Sequence, residues 1–160
     1  MNTFSLTSPA FEHNGKIPAQ YTCDGDRELS PPLAISGAPE GTKSLVLIMD
    51  DPDIPQIAKD SYGIEVFDHW ILFNIPSDTT EIPESGTTGT AGANTRGDTQ
   101  YTGPCPPPEH EPSEHRYIFT LYALDTSLNL PSGATKIEVL AALAPHLIEK
   151  TELIGRYSRK

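Results

Sequence analysis

SLVLIMDDPD, residues Ser44–Asp53, reads as a buried strand that runs straight into acid. Leu45, Val46, Leu47, Ile48 and Met49 follow one another without a polar break, and Asp50, Asp51 and Asp53 then crowd around Pro52. A short unbroken apolar run fits a strand covered on both faces. Carboxylates at the rim of a core are costly unless something there binds or uses them. The stretch therefore predicts both a central strand and one wall of a site.

Two more stretches share the strand character. Val66–Ile75, VFDHWILFNI, carries His69 and the only tryptophan, Trp70. His115–Asp125, HRYIFTLYALD, is rich in aromatic and β-branched residues that fit a pleated sheet. Phe4–Thr7 and Leu33–Ile35 predict short strands, and Leu153–Tyr157 a short last one. Residues 54–65 predict a loop with at most a helical turn. Thr79–Gln100 has almost no apolar side chains and predicts one long functional or mobile loop. Thr135-Lys136-Ile137-Glu138 matches a capping box. Ile137, Leu140, Ala141, Ala144, Leu147 and Ile148 recur at helical spacing behind it, with Pro145 set to interrupt. Strands without regular βαβ alternation, plus a helix near the C-terminus, predict a mostly β chain. The fold class is an antiparallel β-sandwich with peripheral helices, built as a single domain over residues 1–160.

Bulk properties narrow the partners. The net charge of −11 over 160 residues disfavours nucleic acid and anionic lipid surfaces. No apolar run approaches the ~20 residues that span a bilayer, so no integral membrane segment is expected. The N-terminus MNTFSLTSPAF lacks the basic and apolar regions of a signal peptide, which makes a cytoplasmic location the default expectation. Cys23 and Cys105 either form one bridge or stay reduced, and a cytoplasmic chain favours reduced.

Alternation along the strands brings polar groups to one end. His115 and Tyr117 share a face, Arg116 points to the other, and Asp51 and Asp53 share a parity. His69 has Phe67 and Ile71 on its own face. Each has a plainer reading: a hydrogen-bonded core histidine, a turn aspartate, a core tyrosine. Arg116 is read as a structural ion pair with Asp50 or Asp53.

The order Asp51-Pro52-Asp53, His69-Trp70, Gly103-Pro104-Cys105-Pro106-Pro107, His115-Arg116-Tyr117 resembles the phosphatidylethanolamine-binding protein family. This family is also called Raf kinase inhibitor-like, and its prokaryotic branch is the nearer match. Tyr21-Thr22-Cys23-Asp24-Gly25, Ser30-Pro31-Pro32 and Tyr122-Ala123-Leu124-Asp125 extend the resemblance over about residues 4–157. It implies a ligand pocket lined by Asp51, Asp53, His69, Pro104, His115 and Tyr117. Phosphate-bearing or zwitterionic small ligands would be held there without catalysis, cofactor or metal. It also implies a protein kinase or protease as a possible class of protein partner, and a homodimer. In chemical terms, imidazole N–H groups and the Tyr117 hydroxyl would donate to phosphoryl oxygens. The carboxylates would orient the imidazoles or receive a head-group ammonium. Two competing readings are a protease inhibitor or scaffold acting through the 79–100 loop, and a metal-dependent hydrolase using Asp51, Asp53, His69 and His115. The chain departs from the family in a longer 53–67 segment, an extended 108–114 link and Ile35 where tryptophan is common. It also has Asn94-Thr95-Arg96-Gly97 in place of an Asn-Asp-aromatic-Gly stretch. Arg96 is either a solvent-facing loop residue or a positive charge at the pocket mouth.

Overall fold

The computed structural model describes residues 3–27 and 29–159. Among the described residues, nine strands fall at Ser5–Thr7 (β1), Gly15–Lys16 (β2), Leu33–Ser36 (β3), Ser44–Asp51 (β4), Phe67–Pro76 (β5), Glu81–Ile82 (β6), Thr90–Ala91 (β7), Glu114–Leu124 (β8) and Leu147–Ser158 (β9). The helices are Gln56–Tyr62 (α1) and Lys136–Leu143 (α2). A six-stranded sheet has the order β2-β9-β8-β4-β5-β7, and a three-stranded sheet the order β1-β3-β6. All pairings between strands are antiparallel except β2 with β9.

The unbroken apolar run of β4 has a direct cause, because both faces of that strand are covered. Leu45, Leu47 and Met49 pack with Leu6, Leu33, Ile35 and Ile82 of the small sheet. Val46 and Ile48 pack with Ile71, Phe73 and, from α2, Val139 and Leu143. Such side chains stabilise by roughly 1.5–3 kcal/mol each when fully buried.

The helical pattern near the C-terminus is only partly realised. The capping box forms: Glu138 N–H donates to Thr135 Oγ1, and Thr135 N–H donates to Glu138 Oε1. The helix stops at Leu143, and Pro145 sits in a 3₁₀ turn over Ala144–His146. Proline has no N–H to donate and its ring crowds the preceding turn. Leu147 and Ile148 therefore open β9, a strand of 12 residues where only a short one was expected. Ile137 faces solvent at 80% exposure, and Val139 takes the buried position instead.

Two other expectations change. Residues 54–65 include a genuine helix, α1, closed by Gly63 in the left-handed region (φ 65°). The 79–100 stretch is not a single loop, since β6 joins the small sheet and β7 the edge of the large one.

The strand β5 carries a bulge that matters for the site. Met49 pairs with Trp70, but Asp50 pairs with Asp68, leaving His69 as the extra residue. A bulge breaks the period-two alternation at that point. His69 consequently faces Tyr117, with ring centroids 5.3 Å apart, while Ile71 lies in the core on the opposite side of the sheet. The expected shared face of His69 and Ile71 is lost. Phe67 does stay with His69, at 4.7 Å.

Behind the bulge, Lys136 Nζ donates to Asp50 at 3.1 Å and to Asp68 at 2.8 Å. Burial raises the Asp50 carboxyl above its ordinary value, and Lys136 works against that rise. Burial likewise pulls the Lys136 ammonium down, but the two carboxylates carry it above its usual range. The acid next to Asp51 and the acid next to His69 are thus tied off on the far face.

Candidate functional site

At the end of the large sheet the first residues of β5 and β8 and the last of β4 surround a cavity of about 330 Å³. Asp51, His69, His115 and Tyr117 line its polar end. Gly103, Cys105, Pro106 and Pro107 form a ledge on one side, and Ile54, Pro55, Ala58, Tyr62 and Phe67 an apolar wall on the other. Arg96 lines the cavity from a loop.

Hydrogen bonds decide what each group can offer. Asp51 and His115 are almost wholly buried, with side-chain exposures of 3% and 1%. His115 Nδ1 faces Asp51 Oδ2 at 2.7 Å, and Nε2 faces the Pro112 carbonyl at 2.9 Å. Both partners are acceptors, and a neutral imidazole has only one N–H. The Pro112 carbonyl can only accept, so Nε2 carries a proton, and one further proton shared between Nδ1 and Asp51 makes the second bond of a buried pair that is neutral overall. The extended 108–114 link therefore supplies the second partner of His115. The other Asp51 oxygen accepts from Asp53 N–H at 2.7 Å.

His69 is held differently. Its Nδ1 donates to the Thr102 carbonyl at 2.7 Å, and Thr102 N–H returns a bond to the His69 carbonyl. Nε2 is left as a lone-pair acceptor. Burial pushes the ring pKa below its ordinary value, and the Thr102 bond opposes this only in part. The sign for stability follows. The unfolded chain takes up this proton near pH 6.5 while the folded chain holds it off, so stability contributed by neutral His69 is present above that pH and falls as pH drops below it. His69→Gln is expected to lose less stability than the parent between pH 7.5 and pH 5, read as the shift in urea midpoint. An equal acid shift in both proteins would contradict the assignment.

Burial, then the nearby Asp51 charge, holds the Tyr117 hydroxyl far above its usual range, so it remains a donor. It has no protein partner among the described residues.

Asp53 and Pro104, expected in the pocket, lie outside its lining. Pro52 ends the pleat, and Asp53 turns to Arg116, which holds it with Nε at 2.8 Å, Nη2 at 2.9 Å and the backbone N–H at 2.9 Å. That guanidinium keeps the Asp53 carboxyl below the usual range. Arg116 is thus the structural ion pair read from the sequence, with Asp53 as its partner. The Pro104 carbonyl accepts from Cys23 N–H, and its neighbours Pro106 and Pro107 reach the cavity instead.

The sequence profile of the phosphatidylethanolamine-binding protein family matches residues 7–158. The chain belongs to that family. A UPF0098 protein of Methanothermobacter thermautotrophicus is 44% identical over 162 residues, covering 97% of this chain and 99% of the relative. One from Pyrococcus horikoshii is also 44% identical, covering 96% and 76%. Among solved structures, a phosphatidylethanolamine-binding protein homolog from Chlamydia trachomatis superposes with a TM-score of 0.91 at 38% identity, covering all of both chains. The E. coli protein YbcL, described as a member of the mammalian family, gives 0.83 at 28% identity over 98% of this chain and 99% of its own. The β-sandwich of the family is thus the fold of this chain, and none of its helices among the described residues is long and apolar enough to cross a membrane.

Within this family member the structure also corrects the thiol expectation. Cys23 and Cys105 form a disulfide, with Cα atoms 5.4 Å apart. It fastens the ledge to the Tyr21–Gly25 turn, beside the Cys23–Pro104 backbone bond and a bond from the Tyr101 hydroxyl to the Tyr21 carbonyl. Nothing local in the sequence marks a pair 82 residues apart. The apolar wall was equally hidden, because α1 is short and uncapped by any side chain. The parity of Phe67 with His69 was its one readable trace.

Proposed function

We propose that the pocket binds a small phosphate-bearing ligand without transforming it. The observation that carries this reading is the Tyr117 hydroxyl, a donor held at the floor of a cavity with no protein acceptor. His115 stands beside it with both ring nitrogens engaged, by Asp51 and by the Pro112 carbonyl, so the pair offers the ligand neither a free donor nor a net charge. His69 Nε2 suits a protonated phosphate oxygen. A phosphomonoester loses that proton near pH 6, so both forms are present at neutral pH. The cavity volume lies at the low end of the range for small-molecule sites.

The groups left free argue for an anion over a cation. Asp51 uses both oxygens internally, and among the described residues no three His, Cys, Asp or Glu side chains are arranged to hold a metal. Any regulatory partner, including a kinase or a protease, would recognise a surface whose identity the fold does not fix.

Tyr117→Phe tests the reading with little disturbance, since it removes one oxygen from a position that stays packed. Calorimetric titration with inorganic phosphate or ethyl phosphate is expected to show affinity lowered about tenfold. The thermal midpoint should move little. Absence of binding to the parent protein at millimolar ligand would overturn the proposal.

A further inference from the structure

Arg96 sits on a loop that is fixed by an unusual number of bonds for an exposed segment. Asn94, buried beneath it, accepts from Arg96 N–H at 2.9 Å and Asp98 N–H at 3.3 Å through one oxygen. Its amide donates to Asp98, to the Gln100 carbonyl and to Thr102 Oγ1. Thr95 is tied to the bulge: Asp68 N–H donates to Thr95 Oγ1 at 2.7 Å, and Thr95 N–H to the Asp68 carbonyl. Arg96 is therefore flanked by anchored residues and lines the cavity. Its guanidinium makes no ion pair among the described residues, whereas Arg116, Arg156 and Arg159 each have an acid partner.

The charges that face the cavity can be summed. Asp51 and His115 cancel as a pair, His69 is neutral, Tyr117 is a neutral phenol, and Asp53 is consumed by Arg116 outside the lining. One positive charge remains, that of Arg96. No carboxylate is left free to receive an ammonium group. Asp98, the acid nearest in sequence, is occupied by Asn94 and Gln100 N–H.

Resting on the phosphate-binding reading above, we infer that Arg96 makes the pocket select phosphomonoesters with an uncharged apolar substituent over zwitterionic ones such as phosphoethanolamine. Arginine is suited to this role by its fork of donors and its permanent charge. The wall of Ile54, Pro55, Ala58 and Phe67 offers the substituent contact but no counter-charge.

Ethyl phosphate and phosphoethanolamine share the same two-carbon phosphoester and differ by the ammonium that replaces one terminal hydrogen, so they serve as matched probes. Calorimetry on the intact protein at low salt is expected to show ethyl phosphate bound about tenfold more tightly. Arg96→Gln, on an exposed position, should leave the thermal midpoint unchanged. It should weaken ethyl phosphate about tenfold and bring the two ligands to within about threefold. Arg96→Lys should keep most of the preference. Equal affinity of the parent for both probes, or an Arg96→Gln protein that binds ethyl phosphate as the parent does, overturns this inference while leaving phosphate binding intact. Failure of the parent to bind either probe overturns both together.

Discussion

Asp51→Ala is expected to lower folding stability by about 3–5 kcal/mol, the largest effect of any single side chain at this site. The reason is the position of its partner. With Asp51 gone, the His115 ring keeps only the Pro112 carbonyl, and its Nδ1 is left buried without a partner. Loss of the Asp51 side chain also frees Asp53 N–H from its acceptor. Urea unfolding gives the measurement, provided the midpoint shift is accompanied by an unchanged slope. A double variant, Asp51→Ala with His115→Phe, separates pair from parts. Removing both partners is expected to cost less than the sum of the single losses, because no orphaned polar group of the pair remains. A loss below about 1 kcal/mol for Asp51→Ala would place the pair in water-like surroundings and contradict its burial.

Reduction of the Cys23–Cys105 disulfide is expected to have an effect of similar size by a different route. A cross-link spanning 82 residues restricts the unfolded chain, and loop-closure entropy puts its contribution at about 4.5 kcal/mol. Cys23→Ser with Cys105→Ser, or the parent in a reducing buffer, should show that loss by thermal or urea unfolding. The same change should loosen the ledge, since Cys105 itself lines the cavity. Phosphate affinity is therefore expected to fall along with stability, while a conservative change far from the ledge would alter neither. Stability unaffected by reductant would mean that the turn at Tyr21–Gly25 and the ledge are held by their backbone bonds alone.

What could be read from the sequence follows the regularity of the chain. β4 and β8 keep strict alternation where they meet, so Asp51, His115 and Tyr117 arrive on one face as expected, and Arg116 on the other. Wherever the backbone departs from that period, sequence reading fails. Pro52 rotates Asp53 out of the pocket and onto Arg116. The bulge at His69 moves Ile71 to the opposite core, a shift that no pattern of apolar residues announces. The imidazole N–H groups expected to donate to a ligand are already committed to Thr102, Asp51 and Pro112. Hydrogen-bond saturation is a property of three-dimensional neighbours, and residue identity alone does not reveal it. The helix at the C-terminus shows the converse case. Its start is written in four consecutive residues and is correct, while its end depends on one proline whose effect overrides the apolar spacing at Ala144, Leu147 and Ile148.

The extra residue in β5 also sets how the strand responds to length changes. Deleting a single residue at Asp68 or His69 would restore regular pleating and shift the strand end by one position. Loss of Asp68 would turn the imidazole toward Lys136, and loss of His69 would take the imidazole away from Tyr117 altogether. Substitutions at this point alter one contact, whereas a one-residue deletion would exchange the chemistry of the two sheet faces. An insertion in α1 would instead reshape the apolar wall, and one in the 108–114 link would shift the Pro112 carbonyl that holds His115. The bulge thus marks a stretch where the length of the chain, more than its composition, sets which face each side chain meets.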